Sequence, residues 1–213
     1  MLNKVLEIRN LSSSTYVLRL ERNGFSFQPG QCVNLGLKGS GVNREYSTYS
    51  GVDDPYLEFL IKEVPGGSVS PALRNTTPGS EVDLHGPYGS FVMEPEKIKT
   101  ARFVFISTGT GIAPFHSFVR SYPSLDYEII NGIRGVDEQH DYQDYDLSRL
   151  TCCVSREKWD GFSGRVTDYL NQATIDPEKI YYLCGNPAMI RDVYDLLRKK
   201  GVSGDQIFTE AFF

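Results

Sequence analysis

Leu183-Cys184-Gly185-Asn186-Pro187-Ala188-Met189-Ile190 is the stretch that sets the fold class. An apolar strand over 179–184 runs straight into Cys-Gly-Asn-Pro, and a helix over 187–200 opens directly behind it. A thiol and free backbone N–H groups then stand together at the carboxyl edge of a sheet, where open α/β sheets bind ligands. Outward from this point the same pattern repeats. Arg102–Ser107 reads as a buried strand, and Gly109-Thr110-Gly111 leads from it into a helix near 112–121, with Pro114 in the first turn where proline is tolerated. Strands at 127–131, 149–154 and 206–209 and a helix at 164–172 complete the half. Strand–helix alternation predicts a parallel sheet flanked by helices.

The N-terminal half has another rhythm. Strand patterns fall at 3–9, 15–21, 31–37, 44–50, 56–63 and 80–85, separated by turn signals such as Arg22-Asn23-Gly24, Gln28-Pro29-Gly30 and Pro78-Gly79. Short strands at this spacing predict an antiparallel six-stranded β-barrel. One helix is expected here, at 68–74. Glu94-Pro95-Glu96-Lys97 reads as the joint, giving domains 1–95 and 96–213.

Composition removes several function classes. The chain has 213 residues, a net charge of −5 and no basic block, which argues against a nucleic-acid partner. No apolar run is long enough to span a bilayer, and the N-terminus lacks the apolar stretch of a signal peptide. Cys32, Cys152, Cys153 and Cys184 match no zinc or iron–sulfur spacing, so no metal site is expected. Reduced thiols without an export signal predict a cytoplasmic protein. His85, His116 and His140 form no spaced cluster. The acidic run from Asp137 to Asp146 reads as a solvated loop.

Four further strings carry chemistry. In Arg44-Glu45-Tyr46-Ser47, residues two apart on a strand share a face. Arg44 can therefore grip a diphosphate bidentately while the Tyr46 ring stacks on a flat ligand and Ser47 offers a hydrogen bond. Gly66-Gly67-Ser68-Val69-Ser70 leads into a short helix whose start can face phosphate. The glycines around Thr110 let backbone approach a ligand closely. Ser155 and Arg156, just past a strand, with Arg165 nearby, can clamp a phosphate such as the 2′-phosphate of NADP. The terminal Phe212-Phe213 pair offers flat rings.

Taken together and in this order, the strings at 44–47, 67–70, 109–114, 154–157 and 183–189 resemble the ferredoxin–NADP reductase family. They are most similar to the bacterial ferredoxin/flavodoxin–NADP reductases, and the match spans nearly the whole chain. The resemblance implies an FAD-binding barrel followed by an NADP(H)-binding domain, with hydride passing between nicotinamide and flavin N5. It implies a separate ferredoxin or flavodoxin as electron partner and a monomeric enzyme. It assigns Arg44, Tyr46, Ser47, Ile61, Lys62, Ser68, Val69 and Ser70 to FAD, with Thr110 close by and Phe213 covering the flavin. It assigns Ser155, Arg156 and Arg165 to the 2′-phosphate. Gly109, Gly111, Cys184, Gly185, Asn186 and Met189 would line the nicotinamide nucleotide. Ser47, Cys184 and Glu210 would act at the reacting centre. Trp159-Asp160-Gly161 is also similar to NADH-dependent oxygenase reductases, which leaves the nucleotide open. A free-flavin reductase and a non-catalytic flavin-binding subunit are the other readings.

Overall fold

Burial alternates along the first strand of the computed structural model, which describes residues 2–212: Asn3 and Val5 point inward, Leu2 and Lys4 outward. That two-residue period builds the N-terminal unit. Its elements are β1 (Leu2–Asn10), β2 (Thr15–Glu21), β3 (Cys32–Leu37), β4 (Arg44–Ser47), β5 (Tyr56–Lys62), the five-residue helix α1 (Ser70–Arg74) and β6 (Glu81–Tyr88). The strand order is β4-β3-β6-β1-β2-β5 and every pairing is antiparallel. Past β4, the Tyr49 N–H donates to the Glu58 carbonyl of β5 at 2.8 Å, which links the two ends of the order. Inward-facing Tyr16, Leu18, Leu20, Val33, Leu35, Phe59, Ile61 and Leu84 form the core.

A later helix belongs to the same unit: α2 (Ala113–Ser121) clusters with residues 1–92, and the second unit comprises 93–112 and 124–213. Phe91, Phe115 and Phe118 meet at centroid distances of 6.1–6.3 Å. Gly30 is required where they close in. Its φ is +91°, and a Cβ there would lie 1.9 Å from the Phe91 carbonyl oxygen. Polar contacts fix the helix further. The Ser117 hydroxyl donates to the Ser50 carbonyl at 2.7 Å, and the Arg120 guanidinium reaches the Asp54 carboxylate at 2.8 Å. His116, 1% exposed, stacks on Tyr49 at 3.7 Å, and its Nδ1 lies 2.7 Å from the Tyr49 carbonyl oxygen. A carbonyl only accepts, so Nδ1 carries the proton.

The second unit is a parallel sheet. Its strands are β7 (Phe103–Thr108), β8 (Tyr127–Ile133), β9 (Leu150–Val154), the two-residue β10 (Phe162–Ser163), β11 (Ile180–Gly185) and β12 (Ile207–Ala211). Helix α3 (Val166–Gln172) precedes β11, and α4 (Pro187–Lys199) follows it. The order is β10-β9-β8-β7-β11-β12, with all pairs parallel. On α4, Ile190, Val193 and Leu197 recur at helical spacing and are buried with Val104, Ile106 and Leu183 of the sheet. The opposite sheet face is aromatic: Phe103, Phe105, Tyr127, Tyr182 and Phe208, with Tyr182 and Phe208 stacked at 4.8 Å. The acidic run from Asp137 to Asp146, expected as a solvated loop, lies in a segment with single-turn 3-10 helices at Val136–Glu138, Tyr142–Asp144 and Leu147–Arg149.

Candidate functional site

Strand order alone selects one place in the second unit. Chain direction across the sheet reverses between β7 and β11, and ligands of open α/β sheets sit outside the carboxyl ends at such a switch. Gly109, Thr110 and Gly111 follow β7 there, and Gly185 and Asn186 end β11. The two ends touch. A Cβ on Gly111 would lie 2.4 Å from the Cys184 carbonyl oxygen, and one on Gly185 (φ +125°) would lie 2.6 Å from Thr108 Oγ1. Thr108 Oγ1 accepts the Asn186 N–H at 3.0 Å. Asn186 then caps α4, its Oδ1 accepting the N–H groups of Ala188 and Met189 at 2.9 and 3.3 Å. Met189 is half-buried against the unit's core.

Parallel register places a polar row across the strands here. Glu210, Cys184, Ser107, Asn131 and Cys152 are successive partners on β12, β11, β7, β8 and β9. The Ser107 hydroxyl donates to Asn131 Oδ1 at 2.8 Å, and Asn131 Nδ2 donates to the Tyr142 hydroxyl at 3.0 Å. That hydroxyl reaches Cys152 Sγ at 3.5 Å. Cys184 is fully buried, and burial first, then the Glu210 carboxylate, push its thiol well above the usual range. It is a neutral thiol at physiological pH, suited to contact rather than nucleophilic attack. Glu210 is half-buried beside it.

Further along the same sheet edge, β8, β9 and β10 end together. Ser155 is exposed, and both its N–H and its hydroxyl donate to the Ile133 carbonyl at 3.0 Å. The Arg156 N–H donates to the Arg134 carbonyl at 3.0 Å, and the Gly164 N–H to Val154 at 2.8 Å, which sets Arg165 at the next strand end. Arg134, Arg156 and Arg165 are exposed, and among the described residues none of the three guanidiniums pairs with a carboxylate. Arg134 is absent from the sequence reading. Its one signal was its place right after an apolar strand, Tyr127–Ile133.

The barrel unit carries the other set. Arg44 and Tyr46 share one face of β4, while Ser47 turns inward and is buried. Arg44 is exposed, donates to the Asn43 carbonyl at 2.8 Å, and meets no carboxylate among the described residues. Burial pushes the Tyr46 phenol up to about 12, with the Arg44 charge opposing. Tyr16 links this strand to the Gly66–Ser70 turn. Its hydroxyl donates to the Ser70 carbonyl at 2.6 Å, and it is electrostatically coupled to Tyr46. Ser70 Oγ accepts the Val64 N–H at 3.0 Å, and the Gly67 N–H closes on the Val64 carbonyl. Arg74, also missed by the sequence reading, holds α1 in place through Asn10, Ser12, Ser13 and Glu63 at 2.7–2.9 Å. Ser68 is exposed, Val69 buried and Lys62 half-buried. The Ile61 side chain lies in the barrel core, so a ligand could meet only its backbone. Phe213 lies outside the described residues.

These sets suit flat, anionic ligands. On the barrel, an unneutralised guanidinium stands on the same strand face as a half-buried ring; at the sheet edge, the Gly111–Gly185 approach leaves backbone rather than side chains to line the switch point. A separate cavity of about 250 Å³ lies at the opposite strand ends, lined by Val104, Glu128, Thr151, Tyr169 and Lys179, and holds none of the predicted residues.

A family model described as an oxidoreductase FAD-binding domain matches residues 3–93, and one described as an oxidoreductase NAD-binding domain matches 105–195. The chain belongs to the ferredoxin–NADP reductase family. Ferredoxin–NADP reductase B of Sorangium cellulosum is 29% identical over 98% of this chain and 96% of its own. The toluate 1,2-dioxygenase electron transfer component of Pseudomonas putida is 30% identical over 98% of this chain and 66% of that protein. The chain thus spans about two thirds of the oxygenase-linked relatives it matches. The crystal structure of a Neisseria gonorrhoeae ferredoxin NADP+ reductase with bound FAD and NADP superposes with a TM-score of 0.89 at 23% identity, covering 100% of this chain and 98% of that one. It shares the two-unit fold: an antiparallel six-stranded sheet followed by a parallel one with helices. This family member is a flavoprotein oxidoreductase with FAD- and NAD(P)-binding domains. Among the described residues, no helix is long and apolar enough to cross a membrane, and no group of three His, Cys, Asp or Glu could hold a metal ion.

Proposed function

We infer that this reductase uses NADP(H) and exchanges electrons with a ferredoxin or flavodoxin on a separate chain. The observation that carries the nucleotide choice is the trio Arg134, Arg156 and Arg165, three guanidiniums at adjacent strand ends without acidic partners. A 2′-phosphate brings the negative charge they lack, and charge-assisted contacts of this kind are each worth roughly 1.5–3 kcal/mol. Ser155 would join them by turning its hydroxyl proton from the Ile133 carbonyl to the phosphate. Gly109, Thr110, Gly111, Gly185, Asn186 and Met189 would hold the rest of the nucleotide through backbone and shape.

On the barrel side, Arg44 would take the FAD diphosphate and Tyr46 the flat ring system. Ser47, Ile61, Lys62, Ser68, Val69 and Ser70 would hold the remainder. FAD, when bound, supplies the hydride and single-electron chemistry. The chain's residues bind, orient and exclude water, and the neutral Cys184 thiol with the adjacent Glu210 would shape the nicotinamide pocket.

An NADH-dependent oxygenase reductase component is the second reading. It is favoured by the oxygenase-linked relatives and by the longer chains in which they carry the matching region. Visible spectra recorded during titration with NADPH, then NADH, separate the two. Flavin bleaching at far lower NADPH than NADH concentration supports the first reading. Equal response, or preference for NADH, overturns it.

A further inference from the structure

Three carboxylates stand beside the three arginines, yet among the described residues none is ion-paired with their guanidiniums; Asp168 Oδ2 accepts the backbone N–H of Arg165 at 2.8 Å. Glu157 directly follows Arg156, and its Oε1 accepts the backbone N–H of Val136. Glu138 lies in the turn behind Arg134, and its Oε2 accepts the backbone N–H of Arg134 itself at 3.1 Å. The Arg156 N–H donates to the Arg134 carbonyl at 3.0 Å, and with the two Ser155 bonds to the Ile133 carbonyl and the Glu157–Val136 bond the segments ending β8 and β9 are joined by four hydrogen bonds, while Glu138 closes the turn after β8 on itself.

Gly135 makes room for this brace. Its φ of −135° suits any residue, so its smallness serves space rather than backbone freedom. A Cβ there would lie 3.1 Å from Glu157 Oε1 and 2.8 Å from Asp137 Oδ1.

We propose that Glu157 is a positioning residue for 2′-phosphate specificity, latching the turn after β8 so that Arg134 and Arg156 present their guanidiniums without being neutralised. The inference rests on the NADP(H) reading above. Seating Oε1 on the Val136 N–H fixes where the carboxylate lies, and in that place it makes no ion pair with Arg134, Arg156 or Arg165 among the described residues. Released, it would compete with phosphate for the same cations, and the turn carrying Arg134 would lose its anchor.

The test is calorimetric binding of 2′-phospho-AMP and 5′-AMP to wild type and three variants, which reads the edge of the second unit without any turnover. Glu157→Ala should lower affinity for 2′-phospho-AMP roughly 5- to 10-fold, less than the roughly 10- to 150-fold of a whole charge-assisted contact, because the arginines are misplaced rather than removed. Affinity for 5′-AMP should change less than twofold. Glu157→Gln keeps an acceptor oxygen for Val136 and should stay near wild type. Gly135→Ala keeps the carboxylate but pushes Oε1 aside by a few tenths of an ångström, and should fall between wild type and Glu157→Ala. Hydrogen exchange of the Val136 amide should accelerate in Glu157→Ala and Gly135→Ala alone. Tighter or unchanged 2′-phospho-AMP binding in Glu157→Ala, or a Gln variant as weak as the Ala variant, overturns the latch and leaves the nucleotide reading standing. A wild-type protein that binds both nucleotides equally overturns the reading and the latch together.

Discussion

Single side chains carry the site's electrostatics, and two of them give direct tests. The Tyr46 phenol is pushed up to about 12 by burial, against an ordinary value of 10.0. The folded state therefore holds the phenolic proton more tightly than the unfolded chain does. Stability from this group is complete below pH 10 and is lost as pH rises from 10 through 12. The melting temperature of flavin-free protein should fall over that window, and Tyr46→Phe should lessen the fall by one tyrosine's share. Tyr16, Tyr122, Tyr142, Tyr145 and Tyr181, all raised by burial, keep the rest of the slope. An identical profile in Tyr46→Phe would show that Tyr46 does not contribute. Cys184 gives the second test. A thiol raised by burial and by Glu210 is neutral and shielded, so iodoacetamide at pH 8 should leave it unmodified in native protein while labelling it in urea. Mass spectrometry of the 180–190 peptide decides; rapid native labelling would place Cys184 in a different environment from the one described.

At the scale of elements, the carboxyl edge of the parallel sheet is where spacing is tightest. Gly111 and Gly132 both sit there, but they differ in what a methyl group would meet. At Gly111 the obstacle is backbone: the Cys184 carbonyl oxygen at 2.4 Å and Gly185 Cα at 2.7 Å. At Gly132 it is side chain, Val166 Cγ2 at 2.7 Å and Thr108 Cγ2 at 3.1 Å. Side chains yield by rotation and paired backbone does not. Gly132→Ala should cost about 1–2 kcal/mol and Gly111→Ala about 3 kcal/mol or more, at or beyond the upper end of ordinary overpacking. Urea unfolding of both variants checks the order, and Gly132→Ala proving the worse would refute the close approach of β7 and β11 ends. Asn186 tests the same edge from the helix side. Its Oδ1 holds two α4 N–H groups, so Asn186→Ala should cost about 1 kcal/mol, and Asn186→Asp should recover most of it.

For the whole molecule, the sequence exposed the two architectures well and the allegiance of α2 poorly. Strand periodicity and glycine-marked turns were enough to find β1–β6, because each strand is half-buried and each turn needs special residues. Apolar runs followed by Gly-Thr-Gly and Cys-Gly-Asn-Pro were enough to find β7 and β11, because buried parallel strands read as continuous hydrophobic segments. Two-residue β10 and the single-turn helices of 134–149 left no period to read, and Arg134 had no motif around it. Helix α2 is the instructive case. Chain order sets it between β7 and β8, and its apolar face shows only that it is covered, not by what. In the folded chain it clusters with the barrel unit, through the Phe91–Phe115–Phe118 group, the His116–Tyr49 stack and the Ser117–Ser50 and Arg120–Asp54 bonds.

That packing makes a prediction about where the first unit can be cut. A fragment of residues 1–95 would lose α2 and uncover Gly30, Tyr49, Ser50 and Phe91. Those positions include an aromatic ring that is 0% exposed and one that is 5% exposed. Exposing two such rings forfeits several kcal/mol of burial, a large share of the stability of a small domain. The Tyr49 and Ser50 carbonyls would also lose the His116 and Ser117 donors. The 1–95 fragment should bind a hydrophobic dye and melt at a lower temperature than the same fragment joined through a flexible linker to residues 113–123. His116→Ala in the linked form should remove part of the gain, since it deletes both the stack and the carbonyl donor. Equal melting of the short and linked fragments would mean that the barrel is complete without the helix, and that α2 only borrows its surface.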